Sequence, residues 1–144
     1  MIIEVHNETE TKALAETIGR SLKGGEVFEL VGDVGAGKTT FVKGLARGLL
    51  VHDDVQSPSF TISRVYDARD GLQLAHYDFY RLQEPGIMAD ELREVVHDPT
   101  TVTVIEWAAI VEGVLPETRY TIRFESPTET DRRLAVSDSL KELV

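Results

Sequence analysis

The glycine-rich stretch LVGDVGAGKTTFVKGLARGL, Leu30 to Leu49, is the part of the sequence best suited to chemistry. Residues 32–39 within it have the sequence GDVGAGKT and satisfy the pattern G-x-x-x-x-G-K-[ST]. In such a loop, successive backbone N–H groups point inward, and the following helix directs its positive N-terminal dipole to the same place. The pattern predicts a site for a nucleoside triphosphate or diphosphate. Lys38 would reach the β- and γ-phosphates, and the Thr39 hydroxyl would coordinate Mg²⁺.

Two carboxylates outside this loop are candidates for holding the metal and orienting a water. Glu106 follows the apolar run TVTVI, and a carboxylate at the end of a buried strand is costly to desolvate unless a cation compensates it. We interpret Glu106 as the acid on the metal side; the alternative is a surface glutamate just beyond the strand. Trp107 beside it is expected to be a core aromatic.

Asp78 in LQLAHYDFYR is the second of these carboxylates. Alternation along a straight strand places it on the same face as His76, where the face changes from leucines to polar side chains. There it would orient an attacking water or a magnesium-bound water; the alternative is the end of an edge strand that meets solvent. His76 either fixes Asp78 or simply packs.

An alternation of strands and helices must position these residues. A strand over Ile2–His6 and an amphipathic helix through Leu14, Ile18 and Leu22 begin the chain. Further strands are predicted at 26–31, 101–107, 119–124 and 132–137, helices at 39–50 and from about 90, and a β-hairpin that turns at 70–71. The pattern predicts a three-layer α/β, P-loop NTPase-like fold with a mixed, largely parallel central sheet and a β-hairpin, forming a single domain over residues 1–144.

Composition argues against several classes of protein. With a net charge of −10, the 144 residues lack the basic face that a nucleic-acid-binding domain needs, so we expect no binding to DNA and no direct binding to RNA. No apolar run approaches the roughly 18 residues that cross a bilayer. The first ten residues do not resemble a signal peptide. The absence of cysteine rules out disulfides and suits the cytoplasm, where we expect the protein to act.

The segments GDVGAGKTTFVKGL, VQSPSFTI, HYDFYRL and VIEWAAIVEGVLP together resemble the TsaE (YjeE) family in order and spacing, over nearly the whole chain. The resemblance implies a bacterial, magnesium-dependent ATPase required for threonylcarbamoyladenosine at position 37 of tRNAs that read ANN codons. Members of this family work with TsaB and with TsaD, which transfers the threonylcarbamoyl group to tRNA. ATP binding and hydrolysis by TsaE would reset the complex between turnovers. The implied partners are therefore TsaB- and TsaD-like proteins, with tRNA reached only through them.

The resemblance also implies roles for individual residues. Asp78, Lys38 and Thr61 would be catalytic, and Thr39 and Glu106 would hold Mg²⁺. Thr61 follows SPSF, a switch-like segment in which Ser59 replaces the usual threonine of the family. The residues that would bind ATP or ADP are Thr11 and Arg132 near the adenosine and, at the phosphates, Gly35, Ala36, Gly37, Lys38, Thr39 and Thr40.

Two other classes of protein share the glycine-rich loop. A small P-loop kinase acting on a small-molecule acceptor needs a lid that carries arginine, and no arginine cluster in the sequence suits one. A GTP-driven switch needs the element N-K-x-D, which the sequence lacks. No arginine is obviously placed to complete an ATPase site; Arg81, near Asp78, is the nearest candidate. We therefore expect slow hydrolysis in the absence of partners.

Overall fold

A seven-stranded sheet is the centre of the computed structural model, which describes residues 1–33, 35–58 and 62–144. The strands are β1 (Ile2–Val5), β2 (Val27–Val31), β3 (Ser63–Asp67), β4 (Gln73–Asp78), β5 (Thr101–Glu106), β6 (Tyr120–Glu125) and β7 (Arg132–Val136). The helices are α1 (Glu8–Ser21), α2 (Lys38–Gly48) and α3 (Gly86–Val95). Short 3₁₀ segments span Arg69–Gly71, Ala108–Val114 and Asp138–Leu143.

The sheet is mixed, with a parallel centre and antiparallel edges, in the order β1-β7-β6-β2-β5-β4-β3. Strands β6, β2, β5 and β4 run parallel to one another, whereas β1, β7 and the hairpin strand β3 pair antiparallel. The register places Leu30 and Asp78 on either side of Glu106. The carboxyl ends of β2, β5 and β4 therefore meet at one edge, which is where ligands bind in open α/β sheets. The predicted sheet and hairpin are confirmed.

Helices cover both faces of the sheet, which gives the three predicted layers. On one face, α1 and α2 pack over Leu74, Val102 and Val104; we call it the α1/α2 face. On the other, α3 and the segment Ala108–Val114 pack over Tyr77 and Ile105; we call it the α3 face. Burial there, with a smaller contribution from the charge of Glu91, raises the pKa of Tyr77 to about 12.

Three glycines let α1 and α2 approach each other closely. A Cβ added to Gly44 would lie 2.6 Å from both the Ala15 Cβ and the Lys12 carbonyl oxygen. Gly19 and Gly48 leave equally little room, against backbone atoms of the facing helix. Because interiors are packed to crystal density, this contact fixes α2, and with it the loop that precedes α2, relative to α1.

Polar groups fix the two ends of α1. Asn7 is the N-cap: its side chain accepts a hydrogen bond of 2.8 Å from the backbone N–H of Glu10. At the other end, one guanidinium nitrogen of Arg69 donates to the carbonyls of Gly19, Arg20 and Leu22, each at 3.0 Å. These carbonyls belong to the last turn, where a helix leaves acceptors unsatisfied. The hairpin turn is thereby tied to the same helix that packs against α2.

The largest boundary difference from the sequence prediction concerns α3, which begins at Gly86 instead of Asp90. Pro85 precedes it with a helical φ of −64°, and its carbonyl accepts a hydrogen bond from Ala89. Proline suits a helix start because its fixed φ is already helical and its missing N–H has no partner there anyway. Among the described helices, none is both long and apolar enough to cross a membrane.

Candidate functional site

A cavity of about 780 Å³ opens at the edge where the parallel strands end. Its size falls within the 300–1,000 Å³ typical of small-molecule sites. The predicted site residues that line it are Thr11, Gly35, Gly37, Lys38, Thr39, Thr40, Asp78, Glu106 and Arg132. The fold thus brings together groups from α1, α2, β4, β5 and β7 that lie up to 121 positions apart in the sequence.

The glycine-rich loop leads directly from β2 into α2, with Gly37 at the N-cap. Gly37 has a φ of 103°, a left-handed conformation that side chains rarely adopt, so glycine is required there. Ala36 is predicted to bind phosphate, but it is not among the residues that line the cavity. Its N–H donates to Asp33 O (3.1 Å) and its carbonyl accepts from Arg132 Nε (3.1 Å). Ala36 therefore holds the loop in shape through its backbone.

The Lys38 ammonium group is held inside the cavity by three different groups. Its Nζ donates to the Gly32 carbonyl at 2.7 Å and lies 3.6 Å from Glu106 Oε1. It also lies 4.5 Å from the centroid of the Trp107 ring, within the range of a cation–π interaction. The side chain is only 6% exposed. The first residue of α2 thus places a buried positive charge beside the carboxylate of β5.

Glu106 is the last residue of β5 and is 4% exposed, so the alternative of a surface glutamate beyond the strand is wrong. Its Oε2 lies 2.6 Å from Nε2 of His76, and its Oε1 faces Lys38. The suggestion that His76 fixes Asp78 is also wrong. In the parallel register His76 lies opposite Val104, so the next residue on the same face of β5 is Glu106.

Asp78 brings a second carboxylate to the same edge. Its Cα lies opposite that of Glu106, and the side chain is 8% exposed within the cavity wall. The Oδ1 atom accepts a hydrogen bond of 3.0 Å from the backbone N–H of Tyr80. This bond orients the carboxylate where β4 ends.

The donor set at this edge fits magnesium better than a transition metal. No cluster of three or more His, Cys, Asp or Glu side chains suited to a metal occurs among the described residues. The carboxylate of Glu106 and the hydroxyl of Thr39 both line the cavity. Mg²⁺ is usually held by one or two protein oxygens together with substrate phosphates and waters, so these two residues suit it.

Trp107 and Tyr80 form an aromatic pair at the cavity that the sequence analysis missed. Their ring centroids lie 4.9 Å apart, and the side chains are 36% and 59% exposed. The expectation that Trp107 is a core aromatic is therefore wrong. Its backbone adopts a left-handed conformation (φ 56°) that turns the chain out of β5. The sequence did contain a signal for this position: Trp107 directly follows the acid that ends β5, at the edge of the sheet where the cavity opens.

The opposite wall of the cavity is built from the start of α1 and the turn before β7. Thr11 is buried there and donates to the Asn7 carbonyl at 3.3 Å. Arg132 donates to the carbonyls of Ala36, Thr128, Glu129 and Asp131 at 2.8–3.2 Å. Its guanidinium therefore fixes the turn to the glycine-rich loop. Lining residues of this wall not singled out from the sequence are Asn7, Glu8, Thr9, Glu129 and Thr130.

A surface hydrogen bond joins the two parts of that wall. His6 Nδ1 lies 3.2 Å from Asp131 Oδ1, which connects the end of β1 with the turn before β7. This hydrogen bond, and next the charge of the carboxylate, raise the pKa of His6 above its ordinary value. Both side chains are solvent-exposed, so their contribution is screened.

Thr61 and Ser59 lie outside the described residues, so their predicted roles stay predictions. Ser57, two residues before Ser59, lines the cavity, as does Arg81 after β4. The segment that carries the serine-proline sequence thus approaches the site at its described end.

Comparison of the sequence with known protein families gives a match over most of the chain. The family described as "Threonylcarbamoyl adenosine biosynthesis protein TsaE" matches residues 5–134. The chain belongs to the TsaE family. This family takes part in the biosynthesis of threonylcarbamoyladenosine in tRNA.

Two curated relatives carry the name tRNA threonylcarbamoyladenosine biosynthesis protein TsaE. The protein of Bacillus subtilis is 40% identical over 129 residues, which cover 89% of this chain and 79% of the relative. That of Treponema pallidum is also 40% identical over 129 residues, covering 89% and 93%. The crystal structure of Bacillus subtilis YdiB superposes with a TM-score of 0.78 at 36% identity, covering 99% of this chain and 90% of that chain. The predicted fold and family are confirmed.

Proposed function

We propose that this chain is a magnesium-dependent ATPase that serves the threonylcarbamoylation of adenosine 37 in tRNAs that read ANN codons. One observation carries the proposal: Lys38, at the start of α2, and Glu106, at the end of β5, face each other at 3.6 Å across the floor of one cavity. A loop with its helix N-terminus, a lysine and a strand-end carboxylate form the combination that P-loop NTPases use for triphosphates.

Binding uses the loop, the helix and five side chains. Backbone N–H groups of the loop and the N-terminus of α2 hold the phosphates of ATP or ADP, and Lys38 exchanges the Gly32 carbonyl for phosphate oxygens. The Thr39 hydroxyl and Glu106 hold Mg²⁺, whose charge neutralises the phosphates. Thr11 and Arg132, which line the opposite wall of the cavity, would contact the adenosine.

Hydrolysis needs a positioned water, and Asp78 is the side chain placed to hold it. One of its oxygens accepts a hydrogen bond from Tyr80 N–H, and we expect the other to accept a proton from water. Thr61 is predicted to act in the same step. We expect slow turnover by the isolated chain, because the guanidinium of Arg132 is bound to four carbonyls and Arg81, the other arginine at the cavity, is a candidate only by its position after Asp78.

The proposed partners are TsaB- and TsaD-like proteins, in the cytoplasm. The net charge of −10 disfavours direct contact with tRNA, so the partners bind the tRNA and this chain resets their complex through ATP. The names of the relatives support a role in the pathway, and the acidic surface suits docking on a basic partner.

An ATPase assay with purified chain tests the proposal. We expect slow magnesium-dependent hydrolysis of ATP, stimulated by the partner complex and tRNA, and loss of multi-turnover tRNA modification when the chain is omitted. GTP should compete poorly with ATP. A chain that binds neither ATP nor ADP, or that instead phosphorylates a small acceptor, would overturn the proposal.

A pair of glutamate substitutions separates metal chemistry from folding. Glu106→Ala should lower turnover by about 100-fold while weakening nucleotide binding much less, because the acid acts mainly at the reacting phosphate. Glu117→Ala, at an exposed position between the 3₁₀ segment and β6, is the matched control and should behave as the parent. Equal turnover in all three proteins would assign Glu106 a purely structural role.

A further inference from the structure

The buried histidine of β4 is a polar group beside the site that neither the loop motif nor the proposed chemistry uses. His76 is 0% exposed and lies on the α1/α2 face of its strand, between Leu74 and Asp78. A polar ring buried this completely costs free energy unless its nitrogens are bonded. Its nearest partner is Glu106, with Nε2 and Oε2 2.6 Å apart.

The other ring nitrogen of His76 identifies which atom carries the proton. Within the described part of the chain, Nδ1 is buried and has no hydrogen-bond partner. A proton on Nδ1 would therefore be a buried donor without an acceptor, which is more costly than a bare nitrogen. The ring thus carries its proton on Nε2 and donates it to the carboxylate of Glu106.

The two oxygens of Glu106 are consequently held by different groups. Oε2 accepts from His76, and Oε1 lies 3.6 Å from the ammonium of Lys38. Without the histidine, the carboxylate would be free to rotate and to bind Lys38 with both oxygens. That rotation would remove an oxygen from the metal position and tie up the lysine that the phosphates require.

We propose that His76 is a positioning residue that fixes the orientation of the Glu106 carboxylate for a magnesium–nucleotide complex. The inference rests on the proposed function of this site. His76 touches neither nucleotide nor metal; it acts through Glu106, as partners behind metal ligands commonly do. Its removal should therefore reduce the effect of Mg²⁺ on nucleotide affinity (the Mg²⁺ response) more than it reduces nucleotide affinity in the absence of Mg²⁺.

Titration of ADP binding, with and without Mg²⁺, tests this role in the full chain. In His76→Leu, the Mg²⁺ concentration that gives half of the maximal change in ADP affinity should rise by at least about tenfold. A change of this size is usual when a residue behind a metal ligand is lost. Affinity for ADP in EDTA should stay within about twofold. His76→Gln, whose amide nitrogen reaches the position of Nε2, should recover most of the Mg²⁺ response.

Thr103→Val is the matched control. Thr103 is equally buried, and its hydroxyl likewise has no partner among the described residues, but it lies on the α3 face of β5. Its replacement should leave the Mg²⁺ response unchanged. If His76→Leu weakens ADP binding equally in EDTA and in Mg²⁺, or leaves the Mg²⁺ response at the parental value, the positioning role is overturned.

A spectroscopic measurement on the nucleotide-free parent decides the geometry even if His76→Leu does not fold. Long-range ¹H–¹⁵N correlation should show His76 protonated at Nε2 and bare at Nδ1, and the Nε2 proton resonance should move in Glu106→Gln. A proton on Nδ1, or a resonance that ignores Glu106→Gln, would overturn the inference alone. Failure of the parent to bind nucleotide would overturn the proposed function, and the role of His76 with it.

Discussion

The two faces of the sheet differ in how closely their helices approach and in what their strand ends carry. On the α1/α2 face, three glycines bring two helix backbones into contact. The side chains on this face at the carboxyl ends of β4 and β5 are polar: His76, Asp78 and Glu106. Tyr77 and Ile105, which alternate with these polar residues along β4 and β5, pack into an apolar cluster on the α3 face.

One face of the sheet combines closely packed helices with the polar groups of the candidate site, whereas the strand ends on the other face pack into an apolar cluster. Because side chains alternate along β4 and β5, the carboxyl end of each strand directs polar groups to the α1/α2 face and an apolar residue to the α3 face. The site lies on the face where α2, which carries Lys38, is held most tightly. Substitutions on the two faces should therefore differ in size and in the property that they change.

The largest effect should come from the contact between the helices. Gly44→Ala should lower the free energy of unfolding by about 3 kcal/mol, because the new methyl group meets backbone that cannot yield. Gly113→Ala is the control on the opposite face, where a Cβ would meet nothing within 4 Å. It should stay within about 0.5 kcal/mol of the parent in urea unfolding. Similar losses at both positions would remove the contrast between the faces.

Lys38→Ala should give the second largest effect, on binding instead of folding. We expect nucleotide affinity to fall at least about 100-fold, or about 2.7 kcal/mol, since we propose that the ammonium binds the phosphates. Isothermal titration calorimetry measures this, with circular dichroism as the check on folding. Lys43→Ala, one and a half turns along α2, should bind as the parent does. Parental affinity in Lys38→Ala would contradict the assignment of the site to this face.

Thr103→Val should sharpen the contrast with a gain in stability on the α3 face. Its buried hydroxyl has no partner among the described residues, and valine has nearly the same shape, so unfolding should cost about 1 kcal/mol more. Thermal and urea unfolding measure the change. A loss of stability would show that the hydroxyl has a bonding role, and the α3 face would then be less simply apolar than described.

The smallest effect concerns the rim of the site, at His6. The pKa of His6 is raised in the folded chain, first by its hydrogen bond to Asp131. The resulting stabilisation is therefore present below the unfolded value of 6.5 and is lost as the pH rises through the higher folded value. Asp131→Asn should unfold at a slightly lower temperature than the parent at about pH 5.5. The difference between the two proteins should be smaller at about pH 8.5. An equal difference at the two pH values would mean that His6 does not contribute.

The local elements of the site were predictable because each depends on neighbouring residues. The loop from Gly32 to Thr39 has a fixed spacing, and α2 follows it directly in both prediction and structure. The start of α3 was missed because Pro85 and Gly86 are as common in loops as at helix starts. The role of Trp107 was missed because hydrophobicity predicts burial, whereas a left-handed backbone turns this residue outward.

By itself, the sequence determined the family, the alternation of strands and helices, and the side chains that could bind phosphate and metal, because these depend on residue type and spacing along the chain. Only the tertiary structure decided that His76 contacts Glu106 instead of Asp78. That choice depends on the parallel register of β4 and β5, which pairs His76 with Val104. The same register brings Nε2 of His76 to 2.6 Å from Oε2 of Glu106, 30 positions further along the chain. A register is set by packing across the whole sheet, and a single residue of slip would turn every one of these side chains to the other face.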